Sequence, residues 1–166
     1  MELDRNTAYL LLGSNLGDRE EVLRQAIAHI AKEIGSIDAQ SSIYETEPWG
    51  NINQPGFLNL ALKVNTKLSA MQVLEEALAI EKQLGRVRLE RWGSRIIDID
   101  IIFYNADVIR IEDQLSIPHP EMQNRKFVLE PLCEIAPEFL HPLLNRTVKE
   151  LFESLTDKSL VKRYNF

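Results

Sequence analysis

The chain has 166 residues, 45% of them hydrophobic and 27% charged. That suits one soluble globular domain spanning residues 1–166 and excludes a disordered chain. Nineteen Lys and Arg against 25 Asp and Glu leave a net charge of −6, which disfavours a duplex nucleic acid or anionic membrane as partner.

In chain order, residues 8–12 form a nearly continuous apolar run ending at Gly13, which predicts a buried strand. Gly13-Ser14-Asn15-Leu16-Gly17 follows it. Its backbone can approach an anion, or it serves simply as a strand-to-helix turn, and it lacks the Lys-Ser/Thr of a P-loop. Asp18 with Glu21 reads as a capping box, opening a helix with Val22, Leu23, Ala26, Ile27, Ile30 and Ile34 at helical spacing; Gly35 is its expected stop. Residues 37–45 predict a second strand, and the Pro- and Gly-rich segment 48–56 a loop.

Residues 57–66 alternate cleanly, with Leu58, Leu60, Leu62 and Val64 on one face and Phe57, Asn59, Ala61 and Lys63 on the other. An aromatic beside an amide suits a flat heterocycle, though it is equally common as an ordinary sheet position. Ser69 with Gln72 predicts the cap of a second helix, carried by Val73, Ala77, Ile80 and Leu84 to Gly85. A polar, basic loop follows, then an apolar strand at 96–104. The order predicts an α+β fold of the ferredoxin-like βαββαβ kind, with helices on one face of an antiparallel sheet. Further on, 116–120 predicts a proline-bracketed loop, and 126–134 and 148–155 short helices. These form a C-terminal helical extension covering the remaining sheet surface. The only cysteine, Cys133, reads as a small buried apolar residue and fits a reducing compartment. No apolar run approaches the roughly 18 residues of a membrane span, and the polar start at 1–6 does not resemble a secretory signal; a cytoplasmic protein is expected.

The chemistry concentrates between Gly85 and Phe103. Asp98 and Asp100 stand two apart in a strand, so their carboxylates share one face while Ile97, Ile99 and Ile101 take the other. With origins roughly 6.5 Å apart, two ionised carboxylates repel by on the order of 2–3 kcal/mol, a sign that a divalent cation reverses. Magnesium is commonly held by one or two carboxylates together with substrate phosphates. A solvated polar strand face is the plain alternative. Residues 86–95 hold four arginines and one glutamate, a local charge of +3 that leaves −9 on the other 156 residues. Arginine forks match phosphate oxygens, and Trp92 among them can stack on a planar group or close a lid. Basic loop and paired aspartates, adjacent in sequence, supply both ends of a metal–polyphosphate complex. Pro118-His119-Pro120 sets a histidine on a stiff loop. Glu81, near the end of its helix, opposes the helix dipole and points to an arginine partner or a ligand.

Four motifs occur in order: Gly13-Ser14-Asn15-Leu16-Gly17; Gly85-Arg86-x-Arg88 through Arg91-Trp92-Gly93-x-Arg95-x-x-Asp98-x-Asp100; Ile117-Pro118-His119-Pro120; and Arg125-x-Phe127-Val128-Leu129-x-Pro131-Leu132. Together they resemble the 6-hydroxymethyl-7,8-dihydropterin pyrophosphokinase family of folate biosynthesis over nearly the whole chain. The resemblance implies transfer of the terminal diphosphate of ATP to the pterin hydroxymethyl oxygen, with AMP leaving. It implies two magnesium ions on Asp98 and Asp100, and phosphate contacts from Arg86 and Arg95 with Arg88 and Arg125 in support. It places the pterin between Phe57 and Phe127, read by Asn59 and the segment Thr46 to Pro48, with Trp92 on the closing loop. Glu81, Ser116 and His119 fall on the nucleotide side. A monomer acting on small molecules is expected. Ser94 stands where the family usually has proline, and Glu47-Pro48 replaces a Pro-Pro pair. Two other classes share the features: a ferredoxin-like RNA-binding module built on residues 86–95, and a metal-dependent phosphohydrolase.

Overall fold

The computed structural model describes residues 5–15, 17–47, 56–85, 96–157 and 159–164. Strand β1 (Asn6–Ser14) runs through the middle of the sheet, its residues 8–14 all buried. Helix α1 (Arg19–Glu33) follows, then β2 (Gly35–Gln40), β3 (Tyr44–Thr46), β4 (Phe57–Thr66), α2 (Ala70–Gly85) and β5 (Asp98–Tyr104). A small hairpin of β6 (Ile109–Ile111) and β7 (Leu115–Ile117), helices α3 (Lys126–Ile135) and α4 (Val148–Glu153), and β8 (Val161–Arg163) complete the chain. The sheet is antiparallel in the order β5-β1-β4-β3-β8, with β2 also paired to β4. Among the described residues, no helix is long and apolar enough to cross a membrane.

Alternation along the strands separates two cores. Ala8, Leu10 and Leu12 of β1 and Leu58, Leu60, Leu62 and Val64 of β4 face α1 and α2, which contribute Leu23, Ala26, Ile30, Val73, Ala77 and Ile80. Tyr9, Leu11, Ala61, Ile102 and Phe103 face the other way, against Val128, Leu129 and Leu132 of α3 and Val148 and Leu151 of α4. A register shift between Tyr9 and Leu10 pairs them with Phe103 and Ile101, so Ile102 is an extra residue on β5. Ile102 and Phe103 consequently lie on the same side, and the strand's phase reverses there. The predicted caps are present: Asp18 Oδ1 accepts the Glu21 N–H at 3.2 Å, and Ser69 and Gln72 exchange side-chain and backbone bonds at 3.2 and 2.9 Å.

Several expectations are corrected. The strand expected at 37–45 is two strands, because Ser41 breaks the ladder. Its N–H donates to the Ala61 carbonyl, while its hydroxyl, in place of a backbone carbonyl, accepts the Ala61 N–H at 2.9 Å. Gly35 does not stop α1 but opens β2, where a Cβ would stand 2.1 Å from the Asn65 carbonyl oxygen. Only glycine allows that approach. The segment 116–120 begins as strand, with Ser116 paired to Arg110 in the hairpin. Cys133 is half-buried at the edge of the second core.

His141 is buried beneath this second core, its ring edge-on to Phe103 at 5.7 Å. Nδ1 accepts the N–H groups of Leu143 and Leu144 at 3.1 and 3.0 Å, so only the neutral imidazole fits. Burial, only partly offset by its own backbone, holds its pKa below the ordinary value. The unfolded chain therefore takes up the proton more readily, and stability is lost as pH falls through the unfolded value of about 6.5. His119 carries a shift of the same sign. Thermal unfolding midpoints between pH 7.5 and 5.5 should fall more steeply in the wild type than in His141→Asn, whose amide oxygen accepts the same bonds without titrating. Parallel slopes would refute the assignment.

Candidate active site

Helices α3 and α4 cover only one end of the second sheet face. At the other end lies a cavity of about 390 Å³. Strand register builds its floor: Gly13 pairs with Asn59 on one side and Asp98 on the other, and Leu11 pairs with Asp100. Asp98, Gly13 and Asn59 thus form one row across three strands, which puts the acid and the amide about 10 Å apart. The middle of the row bears no side chain, and a Cβ at Gly13 would approach Asn59 Oδ1 to 2.7 Å. Phe57 and Thr46, themselves register partners, and Phe127 and Arg125 from the start of α3 close the sides. The Arg125 guanidinium lies over the Phe127 ring, 5.9 Å from its centroid.

The polar groups of this cavity fall into two sets. At one end, Asn59 is 3% exposed and Thr46 6%, yet Asn59 Nδ2 and Thr46 Oγ1 have no hydrogen-bond partner among the described residues. Buried donors left this way cost stability, and they mark a surface shaped for a polar ligand. At the other end, Asp98 is half-buried and Asp100 exposed. Among the described lining residues, Glu47, Asp98 and Asp100 face one cation, Arg125. That imbalance favours a bound cation.

A sequence model of the 7,8-dihydro-6-hydroxymethylpterin-pyrophosphokinase (HPPK) family matches residues 9–137. The chain belongs to the HPPK family. The 2-amino-4-hydroxy-6-hydroxymethyldihydropteridine pyrophosphokinase of Bacillus subtilis is 47% identical over 134 residues, 80% of each chain. That of Methylorubrum extorquens is 43% identical over 94% of this chain and 97% of its own. Among solved structures, a Plasmodium falciparum HPPK-DHPS crystal structure superposes with a TM-score of 0.73 at 21% identity. It covers 90% of this chain, which spans 45% of that longer chain and shares its fold.

Of the residues singled out in the sequence, the HPPK cavity brings together Thr46, Phe57, Asn59, Asp98, Asp100, Arg125 and Phe127. Leu11, Gly13 and Glu47 also line it and were not assigned as site residues. Gly13 carried a signal, as the glycine ending an apolar strand, but its place between Asp98 and Asn59 follows from register alone. Glu81, Ser116 and His119 lie outside the lining. The Glu81 carboxylate accepts the Ile99 N–H at 2.6 Å, tying α2 to the edge strand β5. The His119 N–H donates to the Ile102 carbonyl, and its Nδ1 accepts the Glu121 N–H at 3.2 Å, leaving Nε2 the protonated nitrogen of the neutral ring. Burial keeps that ring's pKa low, against the opposing pull of Asp100. Pro48, Arg86, Arg88, Trp92 and Arg95 lie outside the described residues.

Replacing Asn59 by leucine removes the unpartnered buried Nδ2 while roughly keeping its volume. The ligand-free variant should hold or raise its unfolding midpoint, by up to about 1 kcal/mol of stability, while losing activity. A clear drop in midpoint would show that the amide is satisfied in the folded chain.

Proposed function

We propose that this cavity is where the chain carries out its reaction, the flat reduced pterin lying at the Asn59–Thr46 end and the polyphosphate at the aspartate end. The chain is an ATP-dependent pyrophosphokinase, a transferase that moves the pyrophosphoryl group of ATP to hydroxymethyldihydropterin in folate synthesis. The observation that carries the placement is the single row Asp98–Gly13–Asn59, which sets a recognition group and an acidic group on one floor about 10 Å apart.

In this arrangement the hydroxymethyl oxygen attacks the β-phosphorus of ATP, the bond from that phosphorus to the α,β-bridging oxygen breaks, and AMP departs. Phe57 and Phe127 stack on the pterin, and Asn59 and Thr46 hold its polar edge with groups that have no other partner among the described residues. Such transfer depends on positioning and charge neutralisation more than on covalent help from the protein. Two carboxylates on one strand face, opening on a cavity, form a fitting donor set for magnesium. Among the described residues there is no cluster of three or more His, Cys, Asp or Glu that could hold a metal, which agrees with an ion completed by phosphates and water. We place two magnesium ions on Asp98 and Asp100, where they would offset charge on the triphosphate. Arg125 lines the same cavity and can meet phosphate. Arg86, Arg95 and Arg88 are assigned to phosphate, Trp92 and Pro48 to the pterin side, and Glu81, Ser116 and His119 to the nucleotide.

The described lining of the cavity comes from one chain, which supports a monomer acting as a single domain over residues 1–166. The strand order supports a ferredoxin-like reading in which β2 and β3 together occupy the second strand's place. On this reading, α3 and α4 form the C-terminal helical extension.

The test is product analysis. ATP, magnesium and the reduced pterin should yield AMP in step with pterin diphosphate. ADP would overturn the assignment, and inorganic phosphate or diphosphate in place of the pterin product would mark a phosphohydrolase. A second measurement probes the aspartates. Asp98→Ala and Asp100→Ala should each lower turnover by at least a hundredfold, and Asp100→Ala, at an exposed position, should shift stability by no more than about 0.5 kcal/mol. Near wild-type turnover in either variant would remove the metal role.

A further inference from the structure

We propose that Glu134 is a positioning residue for the pterin, fixing the separation between the two walls that grip it. The inference rests on the pterin placement given above. Helix α3 bears Phe127 near its start, on the cavity wall, and Glu134 near its end, well away from the cavity. The Glu134 carboxylate reaches across to the segment before Thr46. It accepts the Ser42 N–H at 3.0 and 3.2 Å, the Ser42 hydroxyl at 3.1 Å and the Tyr44 hydroxyl at 2.6 Å. Tyr44 is the register partner of Asn59, and Thr46 that of Phe57. One carboxylate therefore joins the element carrying Phe127 to the strand that aligns Asn59, Phe57 and Thr46.

Strand β8 reinforces the joint from outside. Its Arg163 stands 3.9 Å from Glu134 Oε1 and 3.5 Å from the Tyr44 hydroxyl, with its guanidinium 5.8 Å from the Tyr44 ring centroid. Partial burial would raise the Glu134 pKa, but the bonds from Tyr44 and Ser42 outweigh it and hold the pKa below the usual value. The group is thus a carboxylate at neutral pH, and its hydrogen bonds are charge-assisted. The fold does not depend on it, since α3 is anchored by Val128, Leu129 and Leu132 and β3 by its pairing with β4 and β8. What Glu134 adds is registry between helix and strand. Displacing a substrate by about 1 Å can cost a hundredfold in rate, so a looser joint should be felt by the pterin while the polyphosphate end is spared.

The experiment uses the full-length enzyme with KM for the pterin and KM for ATP measured separately, alongside thermal unfolding. Glu134→Ala should raise the pterin KM by roughly tenfold and leave the ATP KM unchanged. Glu134→Gln, which keeps the acceptor oxygen, should recover most of the loss. An unchanged pterin KM would overturn the proposal, as would parallel rises in both KM values accompanied by a lower unfolding midpoint. If Glu134→Ala does not fold, Tyr44→Phe carries the same test by removing only the 2.6 Å bond. It should raise the pterin KM by roughly threefold, and no change overturns the role. Asn59→Ala, measured in parallel, tests the pterin placement itself. If Asn59→Ala weakens pterin binding and Glu134→Ala does not, the positioning role fails alone. If neither does, the placement fails.

Discussion

The antiparallel pairing of β1 with β4 is the constraint on which the rest of the molecule depends. It runs the whole length of β1, from Asn6 against Thr66 to Ser14 against Leu58. Because side chains alternate along both strands, that one register decides which residues face the helices and which face the cavity. A slip of one residue would turn Leu58, Leu60 and Leu62 out of the first core and bring Asn59 into it. The apolar burial on the α1–α2 side therefore holds the recognition amide in place, although none of those leucines touches the site.

The site itself is the uncovered end of a sheet whose other face is fully packed. At the base of the second face, Phe103 and Ile102 are sealed under α3 and α4, and toward the mouth the same face presents a glycine, an amide and two acids. The unpartnered groups of Asn59 and Thr46 lower the stability of the ligand-free protein. That cost is tolerable because the first core is large and continuous, and it is recovered when a ligand supplies the missing partners. Recognition and stability are thus assigned to opposite faces of the same strands.

Much of this was legible in the residues. The alternation of 57–66, the caps at Asp18 and Ser69, and the shared face of Asp98 and Asp100 follow from local periodicity, and the structure has them. What local pattern could not supply was partnership across the chain. Ser41 breaks a strand because its hydroxyl meets Ala61, twenty residues away. Gly35 is glycine because of the Asn65 carbonyl, not because a helix ends there. Gly13 matters through its neighbours in register, and Glu134 through a hydroxyl ninety residues distant. The assignment of Glu81 to a ligand likewise drew on its unfavourable place in the helix. The structure supplies a structural reason as well, the Ile99 N–H on the open edge of β5.

The extra residue in β5 has a mechanical meaning beyond its place in the ladder. On the acidic side of Ile102 the strand alternates in one phase, and on the far side in the other. The bulge works as a clutch between the two ends of a seven-residue strand. Drift in the packing of Phe103 and Tyr104, whose hydroxyl is moored to the Leu68 carbonyl, is absorbed at the bulge before it can rotate the carboxylates. The aspartates therefore take their aim from Gly13 and Leu11 alone, and the hydrophobic end of the strand is free to vary without redirecting them.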